Sequence, residues 1–175
     1  EMGGYAQAKY LLQRGHRHIG IVTLIPDLEA TRLRGQGMRR AFAEAGVSFD
    51  EALELRGAHG ALGCEVMVAY EVTREMLSRP QRPTAIICGN DTLAMQVYFA
   101  AGSLGLSIPE HLSVIGFDDL RLISEALYPQ LTTVALPYFE IGRRAVEIMN
   151  TPDTESSLSS QRQLVPCPLV ERQSC

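Results

Sequence analysis

Positive charge is in short supply in this chain. Its 175 residues carry 16 lysines and arginines against 20 aspartates and glutamates, a net charge of −4, and Lys9 is the sole lysine. A segment that gripped nucleic acid on its own would need clustered cations to displace counterions from phosphates, so any such contact must come from elsewhere. Cysteine is sparse and unpatterned: Cys64, Cys88, Cys167 and Cys175 form no CxxC pair, and no histidine stands at zinc-finger spacing. Neither a metal site nor a disulfide frame follows, and the thiols read as reduced, with Cys88 filling an apolar strand. No apolar run is long enough to span a bilayer, and no charged-then-apolar leader opens the chain. The expectation is a cytoplasmic protein without membrane contact. Glycine loops of the GxGxxG or GxxxxGK[ST] type are missing, as is a paired nucleophile and base, which argues against an enzyme and against a bound cofactor. Opening at Glu1 rather than Met suits a piece whose N-terminus lies upstream.

What is present reads as one alternating α/β core, since 175 residues are enough for one good core and short for two full domains. Residues 5–14 place Tyr5, Ala8, Leu11 and Leu12 at helical spacing, and Gly15 stops the run. IGIVTL (19–24) is short, apolar and β-branched, as a strand buried on both faces of a parallel sheet should be. A helix follows over 31–45 with Leu33, Gly37, Ala41, Phe42 and Ala45 on one face. A weaker strand follows over 52–57, and then a helical stripe over 62–78 through Leu62, Val66, Tyr70, Thr73 and Leu77. Pro80 and Pro83 break that stripe before the strand AIICGN; 91–104 is again helical, with Asp91 as a candidate N-cap, and SVIGF (113–117) is the fourth strand. Such alternation implies right-handed crossovers and helices on both faces.

Two polar tips stand out: Asn90-Asp91 after one strand and Asp118-Asp119 after the next. In an open parallel sheet ligands sit beyond the carboxyl ends of the strands, so one edge recruits both. After Asp119 the pattern changes. LTTVAL (131–136) is extended, 138–150 is helical, a polar segment follows, and QLVPCPLVER holds two prolines that confine it to an edge or a bend. This tail does not read as a fifth unit of the same sheet. The opening helix and the 138–150 helix read as pieces that lie against something else.

The runs LLQRGHRHIGIV, RLRGQGMRRAFAEAG, RPTAIICGNDTLAMQ, LGLSIPEHLSVIGFDD and PQLTTVALPYFEIGRRAVEIM resemble the effector-binding region of the LacI/GalR family of bacterial transcription regulators, over essentially the whole chain. The resemblance implies a periplasmic-binding-protein-like fold of two Rossmann-like lobes closing on a small effector, often a sugar. Operator DNA would be bound through a helix-turn-helix headpiece absent from this chain, and the protein would be a homodimer. It places 1–18 as the last helix of the N-terminal lobe and the first crossover, at His18-Ile19. Residues 19–130 become the C-terminal lobe, 131–162 the return crossover with a helix and loop of the other lobe, and 163–175 the final strand and tail.

The resemblance also aligns site residues. Asp118 falls at the family's effector-contacting aspartate, and a strand-tip carboxylate can accept two adjacent hydroxyl or N–H hydrogens at once. The plain alternative is that one acid of the pair caps the next turn; the expectation is Asp118 on the ligand and Asp119 structural. Asn90 falls at a ligand position, where an amide offers donors and an acceptor, with Asp91 taken as the cap; a turn or cap role for Asn90 beside Asp91 is nearly as good from spacing alone. Arg34 falls at the family's arginine, although Arg32 is close by and a first-turn arginine is more often solvated. Tyr138 aligns with a stacking aromatic or serves the core. Leu136 and Cys64 stand where relatives carry a polar hinge residue and a bulky aromatic, and these departures point to a roomier, more apolar patch. Met95 and Leu127 fall in the family's dimer surface. His16 and His18 read as turn residues, and Thr132 and Thr133 as ordinary strand residues.

Three functions compete. A ligand-responsive transcription regulator leads. A periplasmic sugar-binding protein of a transport system shares the fold and would differ upstream. A metal-dependent enzyme using Asp118 and Asp119 is the least favoured.

Overall fold

The computed structural model describes residues 1–25, 27–59, 66–150 and 164–175. Helix α1 (Met2–Gln13) leads into strand β1 (Ile19–Thr23) and helix α2 (Glu29–Glu44). A single helical turn, Glu51–Leu53, is capped by the Asp50 carboxylate, which accepts the Ala52 N–H at 2.9 Å. It delivers strand β2 (Glu54–Arg56). A short antiparallel pair, β3 (Ala58–His59) with β4 (Val66–Met67), precedes helix α3 (Ala69–Leu77). Then come β5 (Ala85–Cys88), α4 (Asp91–Ser103), β6 (Ser113–Asp118), the one-turn α5 (Arg121–Ser124), β7 (Thr132–Ala135), α6 (Tyr138–Asn150) and β8 (Leu169–Val170).

Six strands form one sheet in the order β2-β1-β5-β6-β7-β8, parallel except for β8 at its edge. Alternation along each strand feeds two cores. Ile19, Ile21, Ala85, Ile87 and Ile115 face α1 and α2, whereas Val22, Ile86, Cys88 and Val114 face α3 and α4. That explains why these strands are apolar throughout rather than alternately polar. Burial also holds the Cys88 thiol well above its ordinary range, as core filler should be.

Three expectations are corrected. The opening helix does not lie against something else: Ala8, Leu11 and Leu12 of α1 are buried on the sheet with Ile19, Ile87 and Ile115. Its apolar stripe finds the face formed by every second strand residue, so α1 is part of the same packed body as β1. Residues 132–135 do not leave the sheet but form its fifth parallel strand, in register with 115–118 of β6. The run from 62 to 78 is not one helix. Val66–Met67 is extended and the Val68 N–H donates to the Gly57 carbonyl, so backbone pairing delays the helix until Ala69.

Helix α6 keeps its expected bounds and, among the described residues, buries none of its own. Phe139 and Met149 are 84% and 82% exposed, and Glu140 pairs with Arg143 and Arg144 along the helix surface. At the amino edge of the sheet His16 bridges Thr84 Oγ1 at 2.9 Å and Ser113 Oγ at 3.1 Å, and His18 meets the Gln81 carbonyl at 3.0 Å. Both histidines are therefore turn residues tied to neighbouring loops and strand starts.

The α1–α2 crossing depends on contact between backbones. A Cβ at Gly37 would stand 2.1 Å from the Glu1 carbonyl oxygen and 2.8 Å from the Tyr5 nitrogen. Gly37→Ala must push the helices apart and should destabilise the domain by about 1–3 kcal/mol, read as a lower urea midpoint; an unchanged midpoint would refute this packing.

Candidate functional site

The chain leaves β1 for β2 on one side and returns to β5 on the other, so the crevice between the carboxyl ends of β1 and β5 is the topological switch point. Arg34, on the second turn of α2, reaches into this edge. Its Nη1 donates to the Gly89 carbonyl just past β5, its guanidinium carbon lies 3.6 Å over the Phe117 ring, and its Nη2 stands 3.9 Å from Asp118 Oδ1. Stacking on an aromatic face and donation to a fixed carbonyl hold the fork in one orientation.

Asp118 ends β6 with φ 109, a conformation that L-residues seldom adopt, and Asp119 follows at φ 52. The two acids differ in their partners. Asp119 Oδ1 accepts from Ser124 Oγ at 2.9 Å and from Arg172 Nη2 at 2.8 Å, which fixes it as structural. The Asp118 side chain has the Arg34 ion pair and no hydrogen bond among the described residues. Burial raises the Asp118 carboxyl above its ordinary value and lowers the Arg34 guanidinium below its own, each opposed by the other's charge. A pair 3.9 Å apart does not replace the water both groups have lost, and hydroxyls of a bound ligand would.

Asp118 opens into a groove of about 480 Å³ whose wall includes Ala135, Leu136, Pro137, Tyr138 and Phe139. The structure therefore brings Asp118, Leu136 and Tyr138 to one groove, with Arg34 beside Asp118. Tyr138 is 61% exposed and takes no part in the core. Cys64 lies outside the described residues.

The cap expected of Asp91 is corrected. Asn90 is the N-cap of α4, its Oδ1 accepting the Leu93 N–H at 2.9 Å, because its extended backbone aims the short side chain back at the first turn. Its NH2 has no partner among the described residues and can still donate outward. Asp91 is 1% exposed and lies under the edge, accepting from Thr133 Oγ1 and from the Leu120 N–H, both at 2.7 Å. Thr133 and Thr132 are thus more than strand formers; Thr132 Oγ1 accepts the Arg172 N–H at 3.0 Å. Gln7, wholly buried, donates through Nε2 to the Cys88 and Gly116 carbonyls at 3.0 and 2.7 Å where β5 and β6 diverge. Sequence inspection missed Gln7 altogether. A clue was available for Asp91: two polar residues compete for one cap, and Gly116 interrupts a β-branched strand nearby.

Of the two expected dimer residues, Met95 is half-buried on α4, while Leu127 packs against the core. Exposed apolar side chains on these neighbouring elements are instead Phe99, Leu122 and Tyr128.

Residues 8–175 match the family model of the periplasmic binding protein-like domain. The chain belongs to that family. This periplasmic binding protein-like domain is 36% identical over 174 residues to the ribose operon repressor of Escherichia coli, covering 99% of the chain and 51% of that protein. It is 35% identical over 174 residues to the HTH-type transcriptional repressor PurR of Proteus mirabilis, covering 98% and 49%. It superposes on a protein described as a LacI-family transcriptional regulator from Rhizobium etli with a TM-score of 0.85 and 40% identity, over 99% of this chain and 62% of the other. The complex of transcriptional regulator CelR with cellobiose gives 0.85 at 26% identity, over 99% and 51%. The domain spans about half the length of the curated relatives it matches. Among the described residues no helix is long and apolar enough to cross a membrane.

Burial pushes the Asp91 carboxyl up to about 6, against the opposing hydrogen bonds from Thr133 and Leu120, while the charges of Asp118 and Asp119 add to the rise. With the folded value above the unfolded one, the folded state binds the extra proton between about pH 4 and pH 6, so Asp91 lowers stability as pH rises through that window. The urea stability of the wild type relative to Asp91→Asn should therefore fall by up to about 3 kcal/mol from about pH 4 to pH 6 and then level off. A difference that stays flat across that window would contradict the burial argument.

Proposed function

We propose that this domain is the effector-binding and dimer-forming part of a LacI/GalR-type transcription regulator, sensing a small polar ligand, a sugar or sugar derivative. The observation that carries it is the Arg34–Asp118 pair at the switch-point edge, beside a groove walled by Leu136, Tyr138 and Phe139. A carboxylate and a guanidinium set side by side offer acceptors and donors to adjacent hydroxyls, and the apolar wall suits the C–H face of a sugar ring. Asn90 adds its free NH2. The relatives' names, a ribose operon repressor and a regulator bound to cellobiose among them, agree with this class. The domain acts as a binder rather than an enzyme: Arg34 stands beside Asp118 and Arg172 beside Asp119, so the acid pair is already neutralised where a metal ion would have to bind.

The full protein is a cytoplasmic homodimer that meets operator DNA through a headpiece outside this chain. Because α1 and β7 both belong to the sheet body, the junctions with a second lobe lie before α1 and after Ala135, and α6 with its exposed Phe139 and Met149 packs on that lobe. Effector binding closes the lobes and shifts the headpieces by differential affinity for the two arrangements.

In a thermal-shift screen of the full-length protein against sugars, sugar acids, polyols and nucleobases, Asp118→Asn should abolish the stabilisation by any hit. The charged hydrogen bonds at stake contribute roughly 1.5–3 kcal/mol each. A response unchanged in the variant would remove Asp118 from the site. For the dimer, Leu122→Asp on the face shared by α4 and α5, which touch, should shift the full-length protein toward monomer by light scattering. A dimer unaffected by this charge would place the interface elsewhere.

A further inference from the structure

We infer that Asp91 is a positioning residue of this edge, holding the left-handed Asp118-Asp119 turn so that the Asp118 carboxylate faces the groove. Four observations converge. Asp91 is an acid at 1% exposure whose two oxygens are each used once, Oδ1 by the Thr133 hydroxyl and Oδ2 by the Leu120 N–H, both at 2.7 Å. Leu120 is the residue that follows the turn, and Asp118 and Asp119 stand at φ 109 and φ 52, conformations that persist only when their surroundings impose them. The turn is pinned from its other flank as well, since the Leu136 N–H donates to the Asp118 carbonyl at 3.2 Å and Asp119 is held by Arg172 and Ser124. Finally, the space is made for this carboxylate: a Cβ at Gly116 would stand 2.2 Å from Asp91 Oδ1 and 3.2 Å from Thr133 Oγ1.

A buried acid is costly unless its hydrogen bonds are irreplaceable. Here it joins the start of α4, the turn after β6 and the middle of β7 through one side chain. Without it no hydrogen bond from α4, among the described residues, holds the turn against relaxation of Asp118 to an extended φ, and its carboxylate would swing away from Arg34. Asp91 itself lies beneath the edge and touches no groove-lining side chain through hydrogen bonds, so it acts through Asp118.

The inference rests on reading this edge as the effector site, and the test separates the two. In the full-length protein, three-bond HN–Hα couplings of Asp118 and Asp119 report φ directly without ligand, and titration with D-ribose reports the site. Thr133→Val, which keeps the volume and removes the hydroxyl, and Asp91→Ala should both shift the two couplings away from wild type and weaken D-ribose binding roughly tenfold or more. Asp91→Asn, which can still accept the Leu120 N–H, should stay within about threefold. If Asp91→Ala does not fold, Thr133→Val alone decides. Couplings and affinity both unchanged, with only the melting temperature lowered, would make Asp91 a structural residue and overturn the inference. If wild type does not bind D-ribose, the ribose form of the functional reading fails while the couplings still judge the positioning.

Discussion

A parallel sheet covered by helices on both faces leaves its strands nowhere to put a polar side chain except their ends. In this domain β1, β5 and β6 alternate between two apolar cores, one under α1 and α2 and the other under α3 and α4. Polar chemistry is thereby driven to the two edges. The amino edge uses it for closure, through His16 and His18. The carboxyl edge gathers Arg34, Asn90, Asp91, Asp118 and Asp119, and there the demands of folding and of binding meet.

That edge works by unequal satisfaction. Asp91 has both oxygens bonded, by Thr133 and the Leu120 N–H, and Asp119 is held through Oδ1 by Arg172 and Ser124. Among the described residues the Asp118 carboxylate has only a guanidinium at 3.9 Å, and burial disfavours the charge on both partners. The bonded acids hold the turn, and on the proposed reading the under-bonded one is left open to a ligand whose hydroxyls would replace lost water. On the proposed reading, a fixed open acceptor would favour specificity, because a mobile carboxylate would give up in ordering entropy much of what the hydrogen bonds return.

The strand cores and the α2, α4 and α6 helices were legible in the sequence, because two-sided burial writes itself as apolar runs such as AIIC and helices as spaced stripes. Choosing Asp118 and Arg34 as candidates needed the family resemblance; strand-end position alone could not separate Asp118 from Asp119 or Arg34 from Arg32. Long-range packing hid the rest. Nothing local tells α1 to fold back on the sheet, since its stripe would suit any apolar surface, and nothing in LTTVAL distinguishes a fifth strand from a crossing segment. The cap fell to Asn90 rather than Asp91 because cap propensity favours both, and Asp91 was drawn under the edge by Thr133, 42 residues away. The 62–78 stripe failed for a different reason: its apolar spacing fits a helix, but Val66 and Met67 belong to an antiparallel strand pair that the period does not reveal.

The central claim, that the carboxyl edge of the sheet is where an effector is read, is tested most directly by a crystal structure of the full-length protein with the sugar that most raises its melting temperature. The account predicts ligand hydroxyls donating to the Asp118 carboxylate, Arg34 within hydrogen-bond reach of the same molecule, and Tyr138 or Phe139 against its apolar face. A ligand bound away from this edge, or at it without touching either Asp118 or Arg34, would contradict it.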